Sequence, residues 1–162
     1  MSTVFHVQRQ IGIVIERRLL ANAWATHTWQ PLAIVPEPGT PGGRCLRDDG
    51  QRSHYLLSPA TLELHRSDAA SYRYNLAGEQ PALFVALRRD ETLTPVPWRV
   101  LLVTAAPDEA QKLMDAGDDL IEAVPMPGSL MAWIADFVAT CPPDEPFEKR
   151  QRVHWRDTEK RR

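Results

Sequence analysis

The chain has 162 residues, 43% of them apolar and 25% charged, with 19 Lys/Arg against 21 Asp/Glu and a formal net charge of −2. A chain of that length is one domain able to bury its own core without staples. Two cysteines far apart give neither a disulfide framework nor a zinc pattern, fourteen prolines argue against an all-helical bundle, and no apolar run approaches the roughly 18 residues that span a bilayer.

A first strand is predicted from Phe5, Val7, Ile11, Ile13 and Ile15, which alternate with His6, Gln8, Gln10, Gly12 and Val14. Such period-two alternation gives a strand one face for a core. Arg9 interrupts the apolar face, and Gly12 marks a bend. The strand ends in Glu16-Arg17-Arg18, and Ala21 to Thr28 is a connector. Trp29 to Val35 reads as a second strand. Pro36 to Ser53 is dominated by proline, glycine and charge without periodicity, and reads as a mobile loop. Tyr55 to Leu57 is a short strand leading into three alternating runs: Leu62 and Leu64; Tyr72, Tyr74 and Leu76; and Leu83, Val85 and Leu87. Short polar or Gly/Pro breaks join them, the signature of an antiparallel meander. Trp98 to Thr104 reads as a buried strand.

The period then changes. Pro107 suits the first position of a helix, with Asp108 and Glu109 at its positive end, and Gly117 is a stop. Asp118 to Pro127 is extended. Leu130, Trp133, Ile134, Phe137, Val138 and Cys141 form one helical stripe, ended by Pro142-Pro143. The prediction is an α+β fold: a mainly antiparallel β-sheet with two C-terminal helices, the second packed on the sheet. Residues 1–143 would form a single β-rich domain and 144–162 a basic tail.

Charge is unevenly placed. Residues 147–162 hold seven Lys/Arg against three Asp/Glu, and the rest of the chain twelve against eighteen. An acidic body with a basic tail suggests that the tail meets something separate. Phe147 would anchor it, with Lys149, Arg150, Arg152 and Trp155 as contacts; the other reading is a solubilising tail. Trp24 and Trp29 flank His27 and read either as a recognition patch or as a plug for the open end of the sheet. Gly39 to Gly43 with Arg44, Arg47 and Arg52 could cradle a phosphate, but Gly43 is followed by Arg44-Cys45-Leu46 rather than by the Lys-Ser/Thr of a P-loop. His27, His54 and His65 lack metal-type spacing to one another, to Cys45 or to Asp48. Cys141 lies on the helical stripe, and Cys45 among arginines is the more reactive thiol. Asp115, Asp118, Asp119 and Glu122 read as a solvated face. No catalytic or metal-binding set emerges. Met1 to Gln10 has no apolar signal region, so the expected location is the cytoplasm.

Several short motifs resemble a small bacterial family of unknown function. They are Glu16-Arg17-Arg18, Asn22-Ala23-Trp24, Trp29-Gln30-Pro31, Leu62-Glu63-Leu64-His65, Tyr72, Asn75-Leu76, Val124-Pro125-Met126-Pro127 with Trp133, and the closing stretch from Glu145 to Arg152. Members of that family are encoded beside molybdenum-dependent formate dehydrogenase and its accessory proteins, and some carry the label of a molybdopterin-guanine dinucleotide biosynthesis protein. The resemblance implies a process, formate dehydrogenase biogenesis or function, and supplies no active-site residues. It fits a non-catalytic accessory protein without a cofactor of its own, bound to a protein partner such as a dehydrogenase subunit. The alternative is a protein handling a nucleotide-like or molybdopterin cofactor through the loop 39–52. Nucleic-acid binding by the tail is disfavoured by the acidic body.

Overall fold

Ile11, Ile13 and Ile15 are fully buried on one face of the first strand, and the sheet is assembled around that face. The computed structural model describes residues 6–21 and 26–143. The strands are β1 (His6–Leu19), β2 (His27–Val35), β3 (Gly42–Asp48), β4 (Arg52–His65), β5 (Ala82–Arg89), β6 (Trp98–Thr104) and β7 (Leu120–Pro125). The helices are α1 (Ala69–Ala77), α2 (Pro107–Ala116) and α3 (Gly128–Ala139). Strand order is β2-β1-β4-β6-β5-β7, with β3 added to β4. All pairs are antiparallel except β4 with β6, which meet in parallel at Leu62 and Val103. The sheet curls until β2 and β7 approach each other, giving a nearly closed, barrel-like form.

The fold therefore differs from a sheet carrying two C-terminal helices. There are three helices, and the first lies inside the stretch read as a meander. Tyr72, Tyr74 and Leu76 do alternate, but Tyr72 is buried while Tyr74 is 78% exposed. The inward positions of α1 are Ala69, Tyr72 and Asn75, at helical spacing. Asn75 locks the helix to the sheet. Its Nδ2 donates to the carbonyls of Ala82 (2.7 Å) and Ala105 (2.9 Å), and its Oδ1 accepts from the Ala82 amide at 3.1 Å. With a helix in the middle, β4 and β5 cannot be hairpin neighbours, and β6 lies between them.

Other expectations shift less. Tyr55 to Leu57 is part of one continuous β4. The Pro36–Ser53 stretch contains β3, paired with β4 from Gly42 to Asp48. β6 buries only its last two residues, Val103 and Thr104. Asp119 belongs to a pair with Arg88 (3.0 Å) and is only 5% exposed at its side chain, so the acidic run is not wholly a solvated face. α2 and α3 form where the patterns place them, α2 with Pro at its start and Gly117 in the left-handed region (φ 79°) at its end. Leu130, Ile134, Phe137, Val138 and Cys141 enter the core. Trp133 is half-buried instead, with the Arg9 guanidinium 4.8 Å above its ring. Among the described residues, no helix is long and apolar enough to cross a membrane.

One irregularity places the four-stranded end of the sheet. The β1–β4 register shifts between Ile11 and Ile13. A Cβ on Gly12 would fall 2.8 Å from Leu56 Cδ1, so glycine lets the two strands close around the bulge. Beyond it, the first half of β4 is flanked by β1 and β3, and β1 by β2.

Candidate functional site

The four-stranded end β2-β1-β4-β3 brings together five arginines, Glu16, Asp48, Asp49, His54 and Trp29. Directly opposed residues in an antiparallel sheet project to the same face, so the registers read as rows. On the core-side face, Trp29, Arg17, Ser53 and Asp48 form one row. Arg17 donates to Ser53 Oγ at 3.1 Å, and its guanidinium lies 5.9 Å from the Trp29 ring and 5.7 Å from Tyr55. The two rings are 6.0 Å apart. Trp29 thus packs one side of its ring on the core and leaves the rest to solvent.

On the opposite face the row is Gln30, Glu16, His54 and Arg47, and the next is Thr28, Arg18 and Arg52. Glu16 is only 4% exposed. His54 Nε2 lies 3.0 Å from its Oε2, and Arg18 donates to its Oε1 at 3.1 Å. The His54 contact, opposed by burial and aided by Arg18, holds the carboxyl below the usual carboxylate range. A buried carboxylate is costly unless each oxygen has a partner, and here each has one. Glu16, Arg47, Asp49, Gln51, Arg52 and His54 line a cleft of about 290 Å³.

The turn between β3 and β4 sets these rows. Asp48 Oδ1 accepts from the Gly50 amide at 2.9 Å, and Asp49 Oδ1 from Gln51 (3.0 Å) and Arg52 (2.7 Å). Gly50 has φ 87°, which favours glycine. Both carboxyls are held low first by these backbone donors, that of Asp48 by Gly50 and that of Asp49 by Arg52.

Of the residues singled out in the sequence, Arg47 and Arg52 meet in the cleft. Arg44 does not line it; it opposes Leu56, on the same face as Arg47. Trp29 belongs to the same end of the sheet. Trp24, Phe147, Lys149, Arg150, Arg152 and Trp155 lie outside the described residues. His27, His54 and His65 stay apart: His65 stacks on His6 and contacts Glu63, and His27 contacts Thr26. Among the described residues, no three His, Cys, Asp or Glu side chains group as a metal site. Cys45 is exposed on β3, and Cys141 is buried.

Glu16, His54, Asp49 and Gln51 were not legible as one site. The missed signal was Gly50-Gln51, a two-residue hairpin turn opened by glycine. Counting outward from it places Asp49 opposite Arg52, Asp48 opposite Ser53 and Arg47 opposite His54.

A profile of the family described as a protein of unknown function (DUF3305) matches residues 10–151. The chain belongs to this family. As its short motifs suggested, DUF3305 is a family of unknown function, and its description states no activity. Nothing among curated proteins or solved structures matches the chain.

Proposed function

We propose that this DUF3305 chain is a non-catalytic accessory protein that binds a protein partner through the four-stranded end of its sheet. One observation carries the reading. Arg17 stands beside the half-exposed ring of Trp29 on one face of that end, and Arg18, Arg44, Arg47 and Arg52 gather around Glu16 on the other, while the rest of the body is acidic. Arginine and tryptophan dominate the energetics of protein interfaces, and a local excess of one charge steers a complementary surface into register. The process is the one that the motif resemblance implies, the biogenesis or function of a molybdenum-dependent formate dehydrogenase. The partner is then a subunit of that enzyme or one of its accessory proteins.

The test is capture of separately expressed dehydrogenase subunits on the immobilised chain. Trp29→Ala and Arg52→Ser should each weaken capture by roughly tenfold, the scale of a hot-spot residue, while the melting transition stays cooperative. Full-strength capture by both variants overturns the assignment of this surface.

A second reading has its own observation: Arg47, Arg52 and His54 share one cleft. They would hold the phosphate of a nucleotide-like or molybdopterin cofactor. Asp49 and Glu16 line the same cleft and offset that charge, which favours the protein partner. Guanosine monophosphate at about 100 times its dissociation constant would stabilise the fold by about 2.7 kcal/mol. A melting temperature unmoved by millimolar nucleotide would remove this reading.

A further inference from the structure

Among the described residues, β3 is hydrogen-bonded along one edge only. It pairs with β4, lies off the path of the barrel, and all seven of its residues are exposed. The outward amides and carbonyls from Gly43 to Arg47 bond no backbone group of the described residues beyond β4. Such an edge is a template for another strand.

The side chains say which strand it fits. β3 is bulged at Leu46, between Cys45 opposite Tyr55 and Arg47 opposite His54. The bulge packs Arg44, Cys45, Leu46 and Arg47 into a shortened span, and it puts Arg44 and Arg47 on the same face as Arg52. A second copy laid antiparallel on this edge would set arginine near arginine, and opposed like charges destabilise a strand pair. A strand with carboxylates on alternate positions would extend the rows instead, with one acidic side chain beside Arg44 and the next beside Arg47. Asp48 is turned into the hairpin on Gly50, and Asp49 Oδ1 onto Gln51 and Arg52; Asp49 Oδ2 lies 3.8 Å from Arg47, a loose exposed pair that an incoming carboxylate would displace.

We infer that β3 receives an extended acidic segment of the partner protein as an added β-strand, with carboxylates at alternate residues facing Arg44 and Arg47. The inference rests on the partner-binding reading above and names the segment that the partner offers. Main-chain pairing would supply affinity, and the two arginines would supply selection.

The experiment uses the full chain and three labelled hexapeptides followed by fluorescence anisotropy. One alternates valine with glutamate, one alternates valine with lysine, and one is the glutamate peptide with proline at its centre, which cannot donate to the ladder. The glutamate peptide should bind at least roughly tenfold tighter than either control, on the scale of one lost hot-spot contact. Deuterium uptake by β3 amides should slow when it binds. The charge-reversed pair Arg44→Glu/Arg47→Glu, both on exposed positions, should keep the wild-type melting temperature and prefer the lysine peptide. Equal binding of the proline peptide, or unchanged β3 exchange, overturns strand addition. So does full capture of dehydrogenase subunits by the charge-reversed pair while Trp29→Ala loses it; that result leaves the partner reading standing. Full capture by all variants overturns both.

Discussion

Glu16 bears a charge in a place where most strands would carry an apolar side chain, between Val14 and Arg18 on the outer face of β1. Its stability contribution depends on pH in a definite direction. The carboxyl is held low in the folded chain, chiefly by His54 and then by Arg18. A group with a depressed folded pKa contributes stability above its unfolded pKa, and that contribution is lost as pH falls through the folded value. Glu16→Gln should cost about 1–3 kcal/mol at neutral pH, the usual cost of spoiling a hydrogen bond to a charged partner. The gap between variant and wild type should narrow in acid, when urea midpoints are compared along a pH series. A constant gap down to the acid limb would mean that Glu16 is no longer tied to its partners. Tyr72 poses the simpler case of a buried hydroxyl. Burial pushes its pKa up to about 12, and its oxygen accepts from the His65 amide at 2.9 Å. Tyr72→Phe removes that acceptor with little change of shape. It should cost about 1–3 kcal/mol, because the amide is left unpaired, and chemical denaturation would measure the loss.

The helices show which elements a sequence makes legible. α3 announces itself because about three turns of apolar spacing, a preceding proline and a following Pro-Pro agree with one another. α1 is hidden because nine residues with tyrosines at alternate positions satisfy a strand template as well as a helical one. What decides it is Asn75, whose three backbone bonds come from residues on β5 and beyond β6. β3 is hidden for the opposite reason. An edge strand with both faces exposed has no apolar period to read, and its glycines and arginines resemble those of a loop. The candidate site was legible only as separate parts, Trp29 in one stretch and Arg47 and Arg52 in another, since their meeting depends on registers set by a turn and a bulge. Even within α3 the stripe needed correction, because Trp133 lies at its margin. Ile134→Ala should cost about 2–5 kcal/mol, as for a fully buried aliphatic residue. Trp133→Ala should cost about 1–2 kcal/mol, below the range for a buried aromatic, part of it from the Arg9 stacking at 4.8 Å. Equal losses at both positions would show that Trp133 belongs to the core after all.

At the scale of the whole molecule, the sheet keeps its two kinds of surface apart. The barrel-like part carries the apolar core and most of the carboxylates. The four-stranded end carries five of the twelve Lys/Arg found before residue 147. The stretch before residue 147, with twelve Lys/Arg against eighteen Asp/Glu, therefore carries its charge unevenly, and such a distribution acts on encounter before it acts on affinity. On the partner-binding proposal, the arginines and Trp29 should then separate kinetically. With a captured dehydrogenase subunit, the wild-type association rate should fall as salt rises, because the Debye length shrinks from about 10 Å at 0.1 M to about 3 Å at 1 M. Arg47→Ser/Arg52→Ser should associate more slowly at low salt and show a flatter salt dependence, with dissociation changed less. Trp29→Ala should do the reverse: its association rate and salt slope should match those of the wild type, while dissociation quickens by roughly tenfold, since short-range packing sets residence time. Surface plasmon resonance across a salt series reads both. If the tryptophan variant lost its salt dependence, or the arginine variant kept the wild-type slope, charge and packing at this end of the sheet would not be performing the separate tasks that their positions suggest.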